Sequence, residues 1–297
     1  MTSIALTVRS PAKINWSLRV VARRDDGFHE IESLVSAVTL YDLLEFTGRG
    51  DSGVELSCDC PGVPTDEGNL IVQAAMLLSK EAGRRSGVAC RLTKRIPVGG
   101  GLGGGSSNGA STLTALNRLW GLNWPTDRLM PLAASLGSDV PFFLRGGSAV
   151  MSGRGEQVRP VRLGWQGWIV LLLPGIGVSS GAVYRAWRPG AESPPAPVGC
   201  GMTRGSAIDL MGRTFNMLEP AVMEVCPVLE GLIAGVAPRA GRPVRVSGSG
   251  SALFTAFDAE LEAARFARRV GEEFNLETRV VQPVEQASPG NNGCETS

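Results

Sequence analysis

The sequence predicts an α+β protein of two domains. Three observations carry this. Strand-like and helix-like segments alternate without the strict βαβ rhythm of a doubly wound parallel sheet. A run of six glycines within residues 99–105 joins a strand-like segment to an amphipathic helical one. The second half reads helix, strand, strand, helix, strand, the order of a small α+β sandwich. The length of 297 residues suits two domains at about 100–200 residues each.

The elements follow in order. Ile4 to Val8 alternates as a strand, Ser10-Pro11-Ala12-Lys13 interrupts it, and Ile14 to Val21 resumes. Residues 23–27 form a polar turn ending in Gly27, which tolerates positive φ. Ile31 to Phe46 is strand-rich, and Val54 to Cys58 and Cys90 to Leu92 are short strands. Between them, Leu70, Ala74, Leu77 and Leu78 recur at helical spacing, so Asn69 to Ala82 reads as a helix. From Ser106, Ala110, Leu113, Leu116 and Trp120 mark another, and Pro125-Thr126-Asp127 starts a third that runs to Leu136. Ser148 opens a strand that ends in a turn at residues 152–155. A division here gives domains 1–158 and 159–285. In the second, Trp168 to Leu173 is a strand, Gly181 to Trp187 a short helix, and Arg188 to Gly205 a Pro/Gly-rich surface loop. Leu218 to Ala234 reads as one helix, Val244 to Val246 and Ala252 to Phe257 as strands around Ser247-Gly248-Ser249-Gly250-Ser251, Ala259 to Phe274 as a helix, and Glu277 to Val281 as the last strand. Residues 286–297 have the composition of a disordered tail.

Composition excludes several function classes. The net charge is +1 with no basic block, so no nucleic-acid partner is expected. Six cysteines without a CxxC pair, and one histidine, His29, give no His-rich metal site and read as reduced thiols. No signal-peptide pattern is seen, and the longest apolar run falls far short of the ~20 residues of a membrane helix. The expected location is the cytoplasm, with no membrane contact, as a monomer or homodimer.

Pro97 to Ser107 carries the chemistry. Glycines let the backbone approach an anion and turn N–H groups toward it, and the following helix adds the positive end of its dipole. Ser106 or Ser107 can cap that helix or donate to phosphate. A flexible linker rarely joins a strand to an amphipathic helix. A P-loop needs a lysine after the last glycine, where Ser106 stands. Gly99-x-Gly101-x-x-Gly104 fits a dinucleotide turn, whose acidic partner about 20 residues on should end a strand; Asp127 instead follows Pro125-Thr126 at a helix start. A catalytically silent nucleotide-binding module is the remaining alternative.

The glycine loop and its helix resemble the ATP-binding motif of the GHMP kinases. Ser10 to Asn15, Arg24 to His29, Asn69 to Val72, Leu136 to Phe143 and Arg245 to Ser251 follow that family's pattern in order, over residues 4 to 283. Gly27-Phe28-His29 and Ser138-Asp139-Val140-Pro141 point to the branch that phosphorylates the 2-hydroxyl of 4-diphosphocytidyl-2-C-methyl-D-erythritol in the non-mevalonate route to isoprenoids; mevalonate- and homoserine-kinase-like activities are the alternatives. The resemblance implies a GHMP kinase fold, two α/β domains with the active site in the cleft, and ATP with Mg²⁺. It implies Lys13 and Asp139 as the catalytic pair. It places Asn69, Leu70, Lys94 and Pro97 near adenine, and Gly101, Gly103, Gly104, Gly105, Ser106 and Ser107 on the phosphates. Asn15 would contact the substrate, His29 would bond the cytosine edge between Phe28 and Tyr184, and Gly248 and Ser249 would close the cleft. Phe28 stands where the family usually has tyrosine. Asn216-Met217-Leu218-Glu219 replaces the family's Asn-Asp-Leu-Glu, and the segment receives no role. Asp139 and Asn69 also read as helix N-caps.

Overall fold

A computed structural model describes residues 5–84, 86–189, 205–285 and 294–295. Its first sheet has eight strands. β1 (Ala5–Arg23) pairs antiparallel with β2 (His29–Gly48) along nearly its whole length. β3 (Val54–Cys58) and β4 (Val88–Thr93) extend one end of β2, and β5 (Ser148–Gly153) and β6 (Gln157–Val161) extend the other. The division expected after residue 158 falls within β6. Between the two flanking strands, residues 37–39 of β2 are met by 282–284: Thr39 N–H donates to the Gln282 carbonyl at 3.0 Å and Val284 N–H to that of Ala37 at 2.8 Å.

The break expected at residues 10–13 does not occur. β1 runs straight through, and Pro11 is accommodated by a register shift between Pro11 and Ala12, where a missing N–H costs no ladder bond. This continuity matters for the site. With a period of two, Lys13 and Asn15 share one face of β1, while Ile14 and Trp16 enter the core on the other. Trp16 is fully buried, meets Trp165 and Phe254 edge-on at 5.7 and 5.6 Å, and donates to the Ser36 hydroxyl at 2.8 Å. Truncating such a side chain to Ala costs about 3–5 kcal/mol.

α1 (Leu70–Glu81), α2 (Gly104–Leu119) and α3 (Thr126–Leu136) cover one part of the first sheet, burying Ile71, Leu78, Leu113 and Leu116. The short α4 (Val140–Arg145) follows. The second sheet has the order β11-β7-β10-β9, with β7 (Trp168–Leu173), β9 (Arg245–Val246), β10 (Leu253–Phe257) and β11 (Glu277–Val281). One face meets the first sheet around Trp16; the other carries α5 (Ser180–Ala186), α7 (Glu219–Val225), α8 (Val228–Ala240) and α9 (Glu260–Phe274). The single helix expected over 218–234 is two. Pro227 cannot donate an N–H to the preceding turn, so α7 stops at Val225 and α8 starts at Val228.

Between α5 and α7 lie α6 (Ala207–Arg213) and β8 (Phe215–Asn216), a two-residue strand that returns to the first sheet beside Ser17 and Leu18 of β1. Most of the 188–205 loop lies outside the described residues. So does most of the 286–297 tail, but Cys294–Glu295 forms β12 on the free edge of β1 at Thr7 and Val8, where disorder was expected.

Candidate functional site: a cleft between the two sheets

Both halves of the chain line a cavity of about 400 Å³. Lys13, Asn69, Leu70, Lys94, Pro97, the loop 98–105, Ser106, Asn108 and Asp139 come from the first half, Ser180 and Ser249 from the second.

The glycine loop is folded by its neighbours. Gly99, Gly101 and Gly103 all have positive φ, at 69°, 74° and 70°. A Cβ on Gly101 would lie 2.1 Å from the Ser247 carbonyl oxygen, so only glycine lets the two loops touch. The Ala252 and Val178 amides donate to the carbonyls of Gly100 and Gly99 at 3.0 and 3.1 Å, and the Lys13 amide to that of Leu102 at 2.9 Å. These bonds use the loop's carbonyls. α2 begins at Gly104 with Gly103 as N-cap and no side-chain cap, so neither serine caps it. The helix's first N–H groups stay free for an anion.

Ser106 is half-buried at this end and lines the cavity, whereas Ser107 is fully buried and its hydroxyl accepts from Ser10 at 2.7 Å. Adjacent helical residues differ by ~100° around the axis, so only one of the two serines can face the cavity. Lys94, expected beside adenine, lies at the helix start: a Cβ on Gly104 would be 3.1 Å from its Nζ. Asp42 holds it there. This carboxylate is fully buried and accepts from Lys94 Nζ at 2.7 Å, Arg95 N–H at 2.7 Å, Ile96 N–H at 2.8 Å and Asn108 Nδ2 at 3.0 Å. Asn69 is the N-cap of α1, accepting from Ile71 N–H at 2.9 Å, and also lines the cavity.

Lys13 Nζ stands 3.5 Å from Asp139 Oδ2 and donates to Asn15 Oδ1 at 2.6 Å; Asn15 in turn donates to Ser33 at 2.8 Å. Asp139 occupies the N-cap position of α4 but makes no capping bond, which leaves its carboxylate for Lys13 and the cavity. A Cβ on Gly248 would come within 3.2 Å of both Lys13 Nζ and Asn15 Oδ1. Ser249 shares a 2.6 Å hydrogen bond with Ser180.

Beyond this pair lies an aromatic group. His29 is 5.1 Å from the Tyr184 ring at a 34° tilt and 5.5 Å from Trp187, edge-on. Burial, then the Arg23 guanidinium, holds the imidazole below its usual 6.5. Burial, then the Asp139 carboxylate, raises the Tyr184 hydroxyl above its usual range. Phe28 does not join the group: it is half exposed, with the Arg154 guanidinium 4.9 Å over its ring. His29, rather than open space between Phe28 and Tyr184, covers the Tyr184 face. Asp42, Asn108, Ser180 and Trp187 were not found from sequence. Asp127 sits in the first turn of α3, paired with Arg145 at 2.7 Å, which removes the acidic residue the dinucleotide reading needed.

Among the described residues no group of three His, Cys, Asp or Glu could hold a metal ion, and no helix is long and apolar enough to cross a membrane.

Residues 69–147 match the GHMP kinases N terminal domain, and residues 199–276 the GHMP kinases C terminal domain. The chain is 39% identical over 266 residues to 4-diphosphocytidyl-2-C-methyl-D-erythritol kinase of Nitrosomonas europaea, covering 89% of this chain and 92% of that protein. It is 38% identical to the protein of that name from Bacillus subtilis, covering 86% and 90%. A crystal structure of 4-(cytidine 5'-diphospho)-2C-methyl-D-erythritol kinase superposes with a TM-score of 0.76 at 34% identity, over 94% of this chain and 99% of the other. Homoserine kinase from Cytophaga hutchinsonii also gives 0.76, at 18% identity over 100% and 98%, a likeness of fold alone. The chain belongs to the GHMP kinases, in the family of the 4-diphosphocytidyl-2-C-methyl-D-erythritol kinases.

Proposed function

We propose that this chain transfers the γ-phosphoryl group of ATP to the 2-hydroxyl of 4-diphosphocytidyl-2-C-methyl-D-erythritol, in the cytoplasm, as a step of the non-mevalonate route to isoprenoids. The observation that carries the reading is the Lys13–Asp139 pair at 3.5 Å, set between the glycine loop and the His29–Tyr184 rings.

The triphosphate lies along Gly101 to Ser106, held by amides and the α2 terminus, with Lys94 at its edge. Asn69, Leu70 and Pro97 form the wall toward the base. Mg²⁺ fits as an ion that arrives with the nucleotide: among the described residues Asp139 is the one carboxylate on the cavity wall, so phosphate and water would supply the other ligands. When bound, the ion neutralises charge on the β- and γ-phosphates.

Asp139 accepts the proton of the substrate hydroxyl as its oxygen bonds to the γ-phosphorus and the β–γ bridging P–O bond breaks; ADP leaves with that electron pair. Lys13 offsets charge on the transferring group, while Asn15 fixes the Lys13 ammonium. His29, neutral because its imidazole is held down and backed by Tyr184, bonds the cytosine edge, and the half-exposed Phe28 ring at the rim is the one left to stack on the base. Base–aromatic stacking contributes ~1–3 kcal/mol. Gly248 and Ser249 close over the acceptor.

Phosphorus NMR tests the reading. Purified protein with Mg·ATP is offered the cytidylyl substrate, mevalonate and homoserine separately. A phosphomonoester signal with ADP is expected from the first alone. Turnover of another acceptor instead overturns the substrate and its pocket.

A further inference from the structure

Asn216 has no part in the chemistry described above, yet it ties together the two sides of the cleft. As the second residue of β8 it pairs beside Leu18 of β1, and the next amide, that of Met217, donates to the Leu18 carbonyl at 2.9 Å. Its side chain spans from the first sheet to β9 of the second sheet and the loop after it. Nδ2 donates to the carbonyls of Val246 at 2.9 Å and Gly248 at 2.7 Å, and Oδ1 accepts from Leu218 N–H at 2.9 Å. The residue is 6% exposed. A buried amide with three partners in three directions has one conformation. Glu219 secures the same strand by accepting from Val246 N–H at 3.0 Å.

One side chain therefore connects β1, which carries Lys13 and Asn15, to the Gly248–Ser249 loop. Gly248 is the point where that loop meets Lys13 and Asn15. We propose that Asn216 is a positioning residue for phosphoryl transfer, setting the height of the Gly248–Ser249 loop above Lys13; the inference rests on the kinase reading above. Asn216→Asp keeps the shape but removes both donors and turns a carboxylate toward two carbonyl oxygens, so the loop moves away.

The experiment compares wild type, Asn216→Asp and Asn216→Ala with the cytidylyl substrate and Mg·ATP. It reads kcat, KM for ATP, and the ratio of ADP to phosphomonoester. Thermal unfolding gives the folded fraction of each variant. Wild-type turnover comes first: without it the kinase reading fails, whatever the variants do. Expected for a folded variant is a kcat lower by about 10²-fold, the effect of a displacement near 1 Å. KM for ATP stays within about twofold, because Asn216 bonds Val246, Gly248 and Leu218 and no residue of the glycine loop. The ADP ratio rises above one as the loosened loop admits water to the γ-phosphate. A kcat close to wild type overturns the proposal. So does a rate loss with the ratio still at one and KM for ATP raised in step, which is general damage. Failure of both variants to fold also overturns it, since Asn216 would then serve the fold rather than the loop.

Discussion

Replacing Gly101 and Gly105 separately with alanine separates the glycine that shapes the loop from the one that faces phosphate. Gly101 has φ +74°, and its added Cβ would meet the Ser247 carbonyl at 2.1 Å and the Gly250 nitrogen at 2.9 Å, all backbone atoms that cannot rotate aside. A left-handed non-glycine residue costs about 1–2 kcal/mol. Forcing a methyl into a packed contact costs about 1–3 kcal/mol. Together Gly101→Ala loses roughly 2–5 kcal/mol, or roughly 4–20 °C of melting temperature at about 2–4 °C per kcal/mol. Gly105 lies in α2, and the nearest atom to its added Cβ is Leu70 Cδ1 at 4.0 Å. Alanine there gains up to about 1 kcal/mol of helix propensity, so Gly105→Ala melts about 2–4 °C higher. The open space above Gly105 is the path of the phosphates in the proposed complex. Its methyl displaces one hydrogen bond of about 1 kcal/mol, which raises KM for ATP about fivefold. Calorimetry and initial-rate kinetics read both variants. A Gly101→Ala protein melting with wild type refutes the loop contact. An unchanged KM for ATP in the more stable Gly105→Ala refutes the phosphate path.

Asp139→Asn removes the proton acceptor and the partner of Lys13. Turnover falls by about 10²–10⁴-fold while ATP binding by calorimetry stays near wild type; wild-type turnover sinks the assignment. His29 titrates below 6.5 in the folded protein, so the unfolded chain binds more protons just below pH 6.5 and stability falls as pH drops through that window. Melting curves from pH 7.5 to 5.5 show a smaller drop for His29→Asn, and equal drops refute the reading. Burial, opposed by the Val246 amide and Arg245, raises Glu219 above its usual 4.5, so the folded state binds more protons than the unfolded one and this group costs stability as pH rises past 4.5. Glu219→Gln keeps the acceptor for Val246 and melts above wild type at pH 7, the difference vanishing below pH 4.5; a lower melting point at pH 7 contradicts it.

What the sequence revealed follows from where each signal lies. Glycines 99–105 are legible because the run itself is the chemistry: a loop that presents N–H groups needs little else nearby. The helices over 70–81 and 260–274 are legible from periodicity. Asp42 is not. It is one acid in a long strand, and its four donors come from residues 94–96 and 108, more than fifty positions on. Ser180 and Trp187 are hidden the same way, reaching the site only because β7 carries α5 to the cleft. Asn216 received no role from sequence because its neighbour, Met217, departs from the family pattern, yet the asparagine itself uses both amide donors and its oxygen. The serines at 106 and 107 were read alike, and helical phase separated them.

The meeting of residues 282–284 with 37–39 has a consequence for synthesis. β2 is translated early, but the position between its two flanking strands is filled only by a segment more than 240 residues later. At about 5–20 residues per second, the ribosome needs on the order of 10–50 s to deliver it. Throughout that interval the backbone of residues 37–39 lacks its neighbour, and Trp16 lacks the β10 side chains that cover it. The amino-terminal half therefore cannot mature first and wait; it is a partly assembled surface that the segment after β11 completes, and the nascent chain is exposed to mispairing at that gap for most of its translation.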